Sequence, residues 1–290
     1  MGATEEEVRS QPATWRRAAE ILPDVAASLP AAGERVLAIG CGTSWFMAQS
    51  FAAAREAAGL GQTDASTASE LPAARAYDRV LAISRSGTTT EVARALGALD
   101  APSVAISAVA GTPVPARADH ALILDFADER SVVQTRFATA TLALLRAHLG
   151  IDPAPAIADA ETALRAPLPV EPPGFDHFVF LGHGWTVGVA HEAALKLREA
   201  AQVHTESYPA MEYRHGPVSL AGPSSLVWIL GTPDPAVADD VASTGATVVT
   251  ASLDPLAELV RIHRVALALA AARGLDPDRP RNLTRSVVLP

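Results

Sequence analysis

Lys196 is the single lysine of a 290-residue chain that contains twenty-two arginines. It lies in the segment His191-Glu-Ala-Ala-Leu-Lys-Leu-Arg-Glu199. An ammonium is a compact charge that can give up its proton, whereas a guanidinium is delocalised and stays protonated. We therefore predict that the chemistry of this chain takes place around Lys196. The alternative is a lysine retained by chance on a solvated helix face.

Two carboxylates flank Lys196 when residues 187–204 are read as a helix. At about 100° per residue, Glu192 and Glu199 share with Lys196 a stripe about 60° wide, and a separate apolar face extends to His204. Glu192 precedes Lys196 by four residues, which is the favourable order for an ion pair on a helix surface. An ordinary surface pair, worth a few tenths of a kcal/mol, is therefore the alternative to a catalytic cluster.

Composition limits the classes of function. The formal net charge is −9, which argues against a nucleic-acid or anionic-membrane partner, because both need a basic surface. Cys41 is the only cysteine, so no disulfide within the chain and no zinc cluster of thiolates is expected. The first residues are acidic and lack an apolar signal segment, and no run of about 18 apolar residues occurs. We expect a soluble cytoplasmic protein.

Short apolar segments alternate with helical ones in two similar halves. Strands are predicted at residues 35–39, 80–83, 103–106, 178–181, 225–230 and 246–250, and helices at residues 45–59, 157–165 and 187–204. Alternation of this kind predicts parallel sheets covered by helices on both faces. The proline-rich stretch of residues 152–173 is the expected boundary between the halves.

The loop Ser84-Arg-Ser-Gly-Thr-Thr-Thr90 joins a predicted strand to a predicted helix. Five of its seven residues carry hydroxyls. Hydroxyls and free backbone N–H groups at a helix N-terminus bind phosphate, so a phosphate monoester is the expected ligand. The alternative is that these side chains cap the helix, but one cap does not require five hydroxyls.

A second strand is followed by Gly40-Cys-Gly-Thr-Ser44. Its Gly-x-Gly is typical of a tight turn from strand to helix, but the third glycine and the downstream acid of a dinucleotide site are absent. We interpret it as a loop that contacts a sugar, with a dinucleotide cofactor as the minor alternative. Cys41 is either a nucleophile or, more simply, a small packed side chain.

Six segments form a recognisable set. They are Gly40-Cys-Gly-Thr-Ser44, Ser84-Arg-Ser-Gly-Thr-Thr89, His191-Glu-Ala-Ala-Leu-Lys-Leu-Arg-Glu199, Glu206-Ser-Tyr208, Glu212-Tyr-Arg-His-Gly-Pro217 and Pro280-Arg-Asn-Leu-Thr-Arg-Ser-Val287. In order and spacing they resemble the tandem sugar isomerase (SIS) family, from about residue 15 to 290. The resemblance is to the isomerase half of glucosamine-6-phosphate synthase, to aminosugar-phosphate deaminases and to tagatose-6-phosphate ketose/aldose isomerases. Two further segments, residues 11–15 and 129–136, are more similar to the galactosamine-pathway branch.

The resemblance implies a set of substrate-binding residues. They are Ser84, Arg85, Ser86 and Thr89 on the phosphate, with Gly42, Thr43, Ser44, Val132 and Arg285 beside the sugar phosphate. Arg85 stands where the synthase has glutamine, so an additional charge at the phosphate is expected. No metal and no redox cofactor is implied.

The resemblance also implies catalytic roles. Glu199 matches the base that moves a proton between C1 and C2. His215 matches the histidine that opens the sugar ring and acts across a dimer interface. Lys196 matches a lysine close to the base, where its point charge would tune Glu199 and contact sugar oxygens. A base that takes a carbon-bound proton needs an open-chain sugar, so ring opening must come first.

Two departures from the synthase restrict the reaction. Arg285 occupies the position of a lysine that forms a Schiff base, and arginine cannot form that adduct. No glutaminase segment is recognised, so glutamine-dependent amination is not expected.

The chain is accordingly predicted to be an α/β protein of two doubly wound SIS-type domains, residues 1–155 and 156–290. We expect a homodimer with shared active sites that isomerises or deaminates a hexose or aminohexose 6-phosphate. A phosphosugar sensor without catalysis and an SIS-type lyase or etherase remain as alternatives.

Overall fold

A computed structural model describes residues 2–289. The helices within this range are α1 Ala3–Val25, α2 Thr43–Ala57, α3 Thr90–Ala98, α4 Pro113–Arg117, α5 Arg136–His148, α6 Ala154–Arg165, α7 Thr186–Ala201, α8 Ala236–Ala242 and α9 Pro255–Ala272. The strands are β1 Val36–Gly40, β2 Thr63–Thr67, β3 Arg79–Ile83, β4 Ser103–Ser107, β5 His120–Ile123, β6 His177–Gly182, β7 Thr205–Pro209, β8 Ser225–Ile229 and β9 Thr247–Thr250. All strand pairs in this part of the chain are parallel.

The first sheet has the strand order β2-β1-β3-β4-β5. It belongs to a compact unit formed by residues 13–130, 134–153 and 284–289, here called the five-strand unit. Apolar residues of β1, β3 and β4 pack with Val92 and Leu96 of α3 and Val114 of α4. Every residue of β1 and β4 is buried, as expected for central strands covered on both faces.

The second sheet has the order β7-β6-β8-β9. It belongs to the four-strand unit, which comprises residues 2–12, 131–133 and 154–283. Helix α7 packs on β6, β7 and α9, and α6 also packs on α9. On the other face, Val179, Leu181, Val227 and Ile229 pack with Val237 and Val241 of α8.

The predicted strands and parallel sheets are confirmed, with ends that differ by one or two residues. Three strands were not predicted. The strands β2, β5 and β7 lie at sheet edges, where polar and half-exposed residues replace the continuous apolar run of a central strand. The long helices α1 and α9 were also missed. No helix of residues 2–289 is both long enough and apolar enough to span a bilayer.

The prediction of a helix over residues 187–204 is wrong at its C-terminal end. Helix α7 stops at Ala201, because Gln202 adopts the left-handed conformation with φ of 52° and its N–H bonds to the Arg198 carbonyl. His204 therefore lies beyond the helix and is exposed, not on an apolar helix face.

A glycine ends the first strand of each unit at an equivalent place. A Cβ on Gly40 would lie 2.6 Å from the Ser44 carbonyl carbon, and one on Gly182 would lie 2.4 Å from the Thr186 oxygen. Only glycine permits so close an approach of the strand end to the following helix. The starts of α2 and α7 are thereby held directly against the ends of β1 and β6.

Candidate functional site

The loop between β3 and α3 holds three consecutive buried polar residues. Ser84, Arg85 and Ser86 are 3%, 2% and 7% exposed. Parallel strands place their carboxyl ends at one sheet edge, and β1 and β4 flank β3, so the loops after all three strands meet there. We call residues 84–90 the hydroxyl loop. It occupies the position at which open α/β sheets bind ligands.

Hydroxyls in this loop bond to one another. The Oγ1 and N–H groups of Thr88 donate to Ser86 Oγ at 3.0 and 3.2 Å, and Ser84 Oγ donates to Thr89 Oγ1 at 3.3 Å. Thr89 stands at the N-cap of α3, yet its side chain accepts no capping hydrogen bond. The capping alternative therefore does not account for this side chain. Hydroxyl groups beside a helix N-terminus suit an anion.

Gly87 gives the hydroxyl loop its shape. Its φ is +66°, and a Cβ at this position would lie 2.0 Å from Thr112 Oγ1 and 2.9 Å from Ser107 Oγ. The Gly87 carbonyl accepts a hydrogen bond from Val114 N at 2.8 Å. Any side chain would force the loop away from the segment after β4, because both the left-handed backbone and the space require glycine.

Two arginines connect the hydroxyl loop with the C-terminal tail, by which we mean residues 284–289. The guanidinium of Arg85 lies 3.5 Å from Glu129 Oε2 and donates to the Arg285 carbonyl at 2.8 Å. The Arg285 guanidinium in turn donates to the Glu129 carbonyl and to the Asp128 carboxylate. Arg285 thus holds the tail against residues 128–129. Arg85, whose charge was expected at a phosphate, also lies beside the buried carboxylate of Glu129.

The tail covers the start of α3. Thr90 N donates to the Val287 carbonyl at 3.3 Å, Leu289 N donates to Thr90 Oγ1 at 2.9 Å, and the Thr88 and Ser286 hydroxyls are 2.8 Å apart. One backbone donor at the helix N-terminus is therefore already used by the tail. An anion at that donor would compete with Val287.

The loop after β1 supplies three further predicted residues. Gly42 has φ of +55° and is exposed, while Thr43 and Ser44 are 4% and 3% exposed at the start of α2. Burial raises the pKa of the Cys41 thiol, more than the hydrogen bond from the Ala68 backbone lowers it. A raised pKa disfavours the thiolate, so packing describes Cys41 better than nucleophilic chemistry.

Helix α7 carries the charged cluster of the four-strand unit. Lys196 Nζ lies 3.4 Å from Glu192 Oε1 and donates a hydrogen bond to Glu199 Oε2. Lys196 and Glu192 are 1% and 0% exposed, whereas the Glu199 side chain is 19% exposed. The two alternatives considered from sequence, a solvated lysine and a surface ion pair, are therefore both wrong. One carboxylate reaches the surface beside a buried ammonium.

His191 opens the same segment. Its Nδ1 lies 2.9 Å from Ser207 Oγ on β7. Burial is the main cause that lowers the pKa of His191, and the nearby charge of Arg198 lowers it further. A neutral ring held by a neighbouring strand orients α7 on its sheet, so His191 supports the helix and does not belong to the charged cluster.

His215 and Val132 are the two remaining predicted residues to place. His215 is exposed at the end of the 3-10 helix Glu212–Arg214, and its N–H donates to the Glu212 carbonyl at 3.0 Å. Val132 is half-buried in residues 131–133. Within residues 2–289 no hydrogen bond joins His215 to Glu199. The structure therefore brings Lys196 and Glu199 together and leaves His215 facing solvent.

Sequence reasoning missed several residues that contact the predicted ones. The sequence predicts no role for Glu129, although it lies in the segment of residues 129–136, and none for Asp128. His263 is buried in α9, and the Lys196 charge contributes to lowering its pKa. It carries no sequence signal, because it lies in no recognised motif and α9 itself was not predicted. No group of three or more His, Cys, Asp or Glu side chains suited to a metal occurs in the described part of the chain.

A known protein family matches part of this chain. The family model of the SIS domain matches residues 31–149, which contain all of the first sheet. A curated relative is the isomerizing glutamine-fructose-6-phosphate aminotransferase of Gloeobacter violaceus, with 30% identity over 319 residues, covering 88% of this chain and 52% of the relative. The chain thus spans about half the length of the curated relatives that it matches over most of its residues.

Solved structures match along nearly the full chain. Glucosamine-6-phosphate deaminase from Thermotoga maritima is 25% identical with a TM-score of 0.82, and the match covers 99% of this chain and 100% of that chain. The C-terminal domain of glucosamine-fructose-6-phosphate aminotransferase from Francisella tularensis has a TM-score of 0.81 at 19% identity, covering 96% and 98%. Because its identity is only 19%, the match to the aminotransferase domain supports a similar fold and nothing more.

Proposed function

We propose that this protein is a sugar-phosphate enzyme that moves a proton between C1 and C2 of a hexose or aminohexose 6-phosphate. One observation carries the proposal. Glu199 is a partly exposed carboxylate whose neighbour Lys196 is fully buried between Glu199 and Glu192. A carboxylate at a surface can reach a substrate carbon, and a fixed ammonium beside it stabilises negative charge that develops on the sugar oxygens.

The hydroxyl loop supplies the phosphate site in this proposal. Ser84, Ser86 and Thr89 would hold the phosphate oxygens, with Arg85 as a charged neighbour and Gly42, Thr43 and Ser44 beside the sugar. The match of the SIS family model to residues 31–149, which include this loop, supports the assignment. A phosphate that accepts the Thr90 N–H would replace the Val287 carbonyl there.

Deamination of an aminohexose 6-phosphate is the leading reaction. The match to the solved deaminase covers 99% of this chain and 100% of the deaminase at 25% identity, and this supports the choice. The Arg285 guanidinium bonds to Asp128 and Glu129 and cannot form a Schiff base, so it does not support the amination reaction of the curated relatives. Isomerisation without loss of nitrogen is the second candidate, supported by the isomerizing activity that those relatives are named for.

We also propose that the four-strand unit is a second SIS domain, with the boundary near residue 155. Its strand order β7-β6-β8-β9 repeats the order β2-β1-β3-β4 of the first sheet. Gly182 repeats the close approach made by Gly40. A homodimer in which the exposed His215 opens the ring of a sugar bound to the partner completes the proposal.

A substrate panel tests the function. Purified protein is incubated with hexose 6-phosphates and aminohexose 6-phosphates in deuterated water, and deuterium at C1 and C2, ketose and ammonia are followed together. The matched control is Glu199→Gln. Exchange in the wild-type protein, with ammonia from aminosugars, is the expected result. Binding without exchange would favour the sensor alternative, and loss of a substituent next to the carbonyl would favour the lyase alternative.

A further inference from the structure

The C-terminal tail presents backbone oxygens to the hydroxyl loop. The Arg285 carbonyl accepts a hydrogen bond from the Arg85 guanidinium at 2.8 Å. Two residues later, the Val287 carbonyl accepts one from the N–H group of Thr90 at 3.3 Å. A guanidinium and an N–H group at the start of a helix are donors that suit a phosphate. Two donors beside the proposed phosphate site are thus bonded to oxygens of the chain itself.

Two hydroxyl groups of the loop also contact the tail. Ser286 Oγ lies 2.8 Å from Thr88 Oγ1. The N–H group of Leu289 donates to Thr90 Oγ1 at 2.9 Å. Residues 285–289 therefore follow the loop from Arg85 to Thr90, and the tail covers the loop along its length.

Burial of apolar side chains contributes little to this contact. Val287, Val288 and Leu289 are 55%, 66% and 40% exposed. A segment whose apolar side chains remain in solvent is held mainly by its hydrogen bonds. Each of these bonds adds little net stability, because water competes for the same groups. An anion with stronger acceptor oxygens is therefore able to displace the segment.

The anchor of the tail lies outside the hydroxyl loop. The Arg285 guanidinium donates to the Asp128 carboxylate and to the Glu129 carbonyl. A phosphate at the loop does not use either of these acceptors. Residues 286–289 can thus leave the loop while the chain stays attached at Arg285. This attachment keeps the effective concentration of the segment at the loop high.

Building on the proposed function, we propose that residues 286–289 are a tethered competitor of the phosphate group at the hydroxyl loop. In the free protein the Val287 carbonyl accepts the Thr90 N–H. A bound phosphate takes over this donor and releases the segment. Because the docked tail lowers the affinity for every phosphate ligand by the same factor, it keeps weakly bound inorganic phosphate off the loop. A sugar phosphate that makes further contacts through its sugar still binds.

A flexible variant of the tail tests the competition. Ser286→Gly, Val287→Gly and Val288→Gly, made together, increase the conformational freedom that docking must remove. In an NMR titration we expect this variant to bind inorganic phosphate about three- to tenfold more tightly than the wild type. Asn282→Gly is the control, because Asn282 precedes the tail, is exposed and has a φ of +64° that glycine adopts freely. Its affinity should equal that of the wild type.

Two outcomes for the flexible variant overturn the proposal. Equal affinity would mean that the tail does not compete with phosphate. Weaker binding would mean that the tail forms part of the phosphate site.

A reversible lock gives the opposite test. In Thr88→Cys with Ser286→Cys, made together with Cys41→Ala, a disulfide can join the two positions whose oxygens are 2.8 Å apart. We expect the affinity for inorganic phosphate to fall at least about tenfold in the oxidised protein and to recover on reduction. Mass spectrometry verifies the disulfide. Equal affinity in the two forms, or failure of the two cysteines to join, overturns the proposal.

The Leu289 amide reports on the tail without a variant or an activity assay. In 15N-labelled wild-type protein, its NMR signal should move towards the position of an unstructured residue as inorganic phosphate is added, because its partner is Thr90 Oγ1. A signal unchanged at saturation, or no phosphate binding to any of these proteins, overturns the proposal. If phosphate releases the tail but no sugar proton is exchanged, the proposed function fails and the competitor role stands.

Discussion

The guanidinium of Arg85 lies 3.5 Å from the carboxylate of Glu129, and the two side chains are 1% and 0% exposed. Glu129 Oε1 also accepts hydrogen bonds from the N–H groups of Thr135 and Arg136, at 2.5 and 2.8 Å. The carboxylate therefore connects the hydroxyl loop with the start of α5. Removing one member of such a pair leaves an uncompensated charge in the interior.

Both single substitutions of this pair are expected to destabilise the fold. Glu129→Gln or Arg85→Gln should lower the free energy of unfolding by about 3–5 kcal/mol, because a buried charge loses its partner. The double variant should lose less than the sum of the single variants, because no charge is left behind. Urea denaturation of the three variants measures this coupling. Additive losses would contradict a direct pair.

A methyl group at Gly87 is expected to disrupt the hydroxyl loop. Gly87→Ala must place a Cβ 2.0 Å from Thr112 Oγ1 on a backbone with φ of +66°. We expect loss of phosphosugar binding in calorimetry together with lower stability. Gly97→Ala, in the helix α3 that follows the loop, is the matched control, since a Cβ at Gly97 meets nothing within 4 Å. That control should be stabilised by up to about 1 kcal/mol. Binding retained by Gly87→Ala would remove this loop from the site.

The charged cluster of α7 is expected to control the rate. Glu199→Gln keeps the shape but removes the base, so proton exchange at the sugar carbon should fall at least about 100-fold while affinity changes little. Lys196→Arg must fit a larger cation where the side chain is 1% exposed, and should also lose rate. Deuterium incorporation measures both effects. An unaffected rate in Lys196→Arg would mean that its ammonium is not required.

A mixture of two inactive proteins tests the shared site. If His215 serves the partner, Glu199→Gln refolded with an equal amount of His215→Ala gives heterodimers in which one of two sites is intact. We expect about a quarter of the wild-type activity from random pairing of the subunits. Mass spectrometry verifies that subunits have exchanged. An inactive mixture with exchanged subunits would show that each chain builds its own site.

His263 is expected to make the fold sensitive to acid. Its pKa is lowered to about 3 in the folded protein, so between about pH 6.5 and 3 the unfolded chain binds a proton that the folded chain does not. The neutral His263 therefore makes its full contribution to the free energy of unfolding above about pH 6.5, and this contribution is lost as the pH falls. The slope for wild type should exceed that of His263→Gln by up to about 1.4 kcal/mol per pH unit. Urea unfolding at about pH 7.5, 6 and 5 measures the difference, and equal slopes would contradict it.

The fold was largely predictable from sequence because central strands are apolar throughout. Residues 36–40 and 103–107 are buried in full, and such runs are visible in a sequence. Edge strands are not visible in this way. The β7 segment Thr205–Pro209 is polar in sequence. It pairs with a strand on one side only, and most of its residues are half-exposed. This segment is a strand because it pairs with β6, and a tertiary contact of this kind cannot be recognised from the local sequence.

Candidate site residues were predictable where their spacing is local. Lys196 and Glu199 are three residues apart on one helix, so helical geometry alone brings them together. Their burial was not predictable, because the environment of α7 depends on α9, more than fifty residues later. The same holds for Arg85, whose partner Glu129 and whose contact with Arg285 depend on long-range packing.

The tail on the hydroxyl loop has a consequence for synthesis of the chain. The first sheet is complete by Ile123, but the carbonyl that accepts the Thr90 N–H belongs to Val287. Domains form progressively as a chain leaves the ribosome. All four strands of the second sheet must therefore be translated before the hydroxyl loop receives its tail. A nascent chain carries this loop uncovered, with its helix donor open to any phosphate in the surrounding solution.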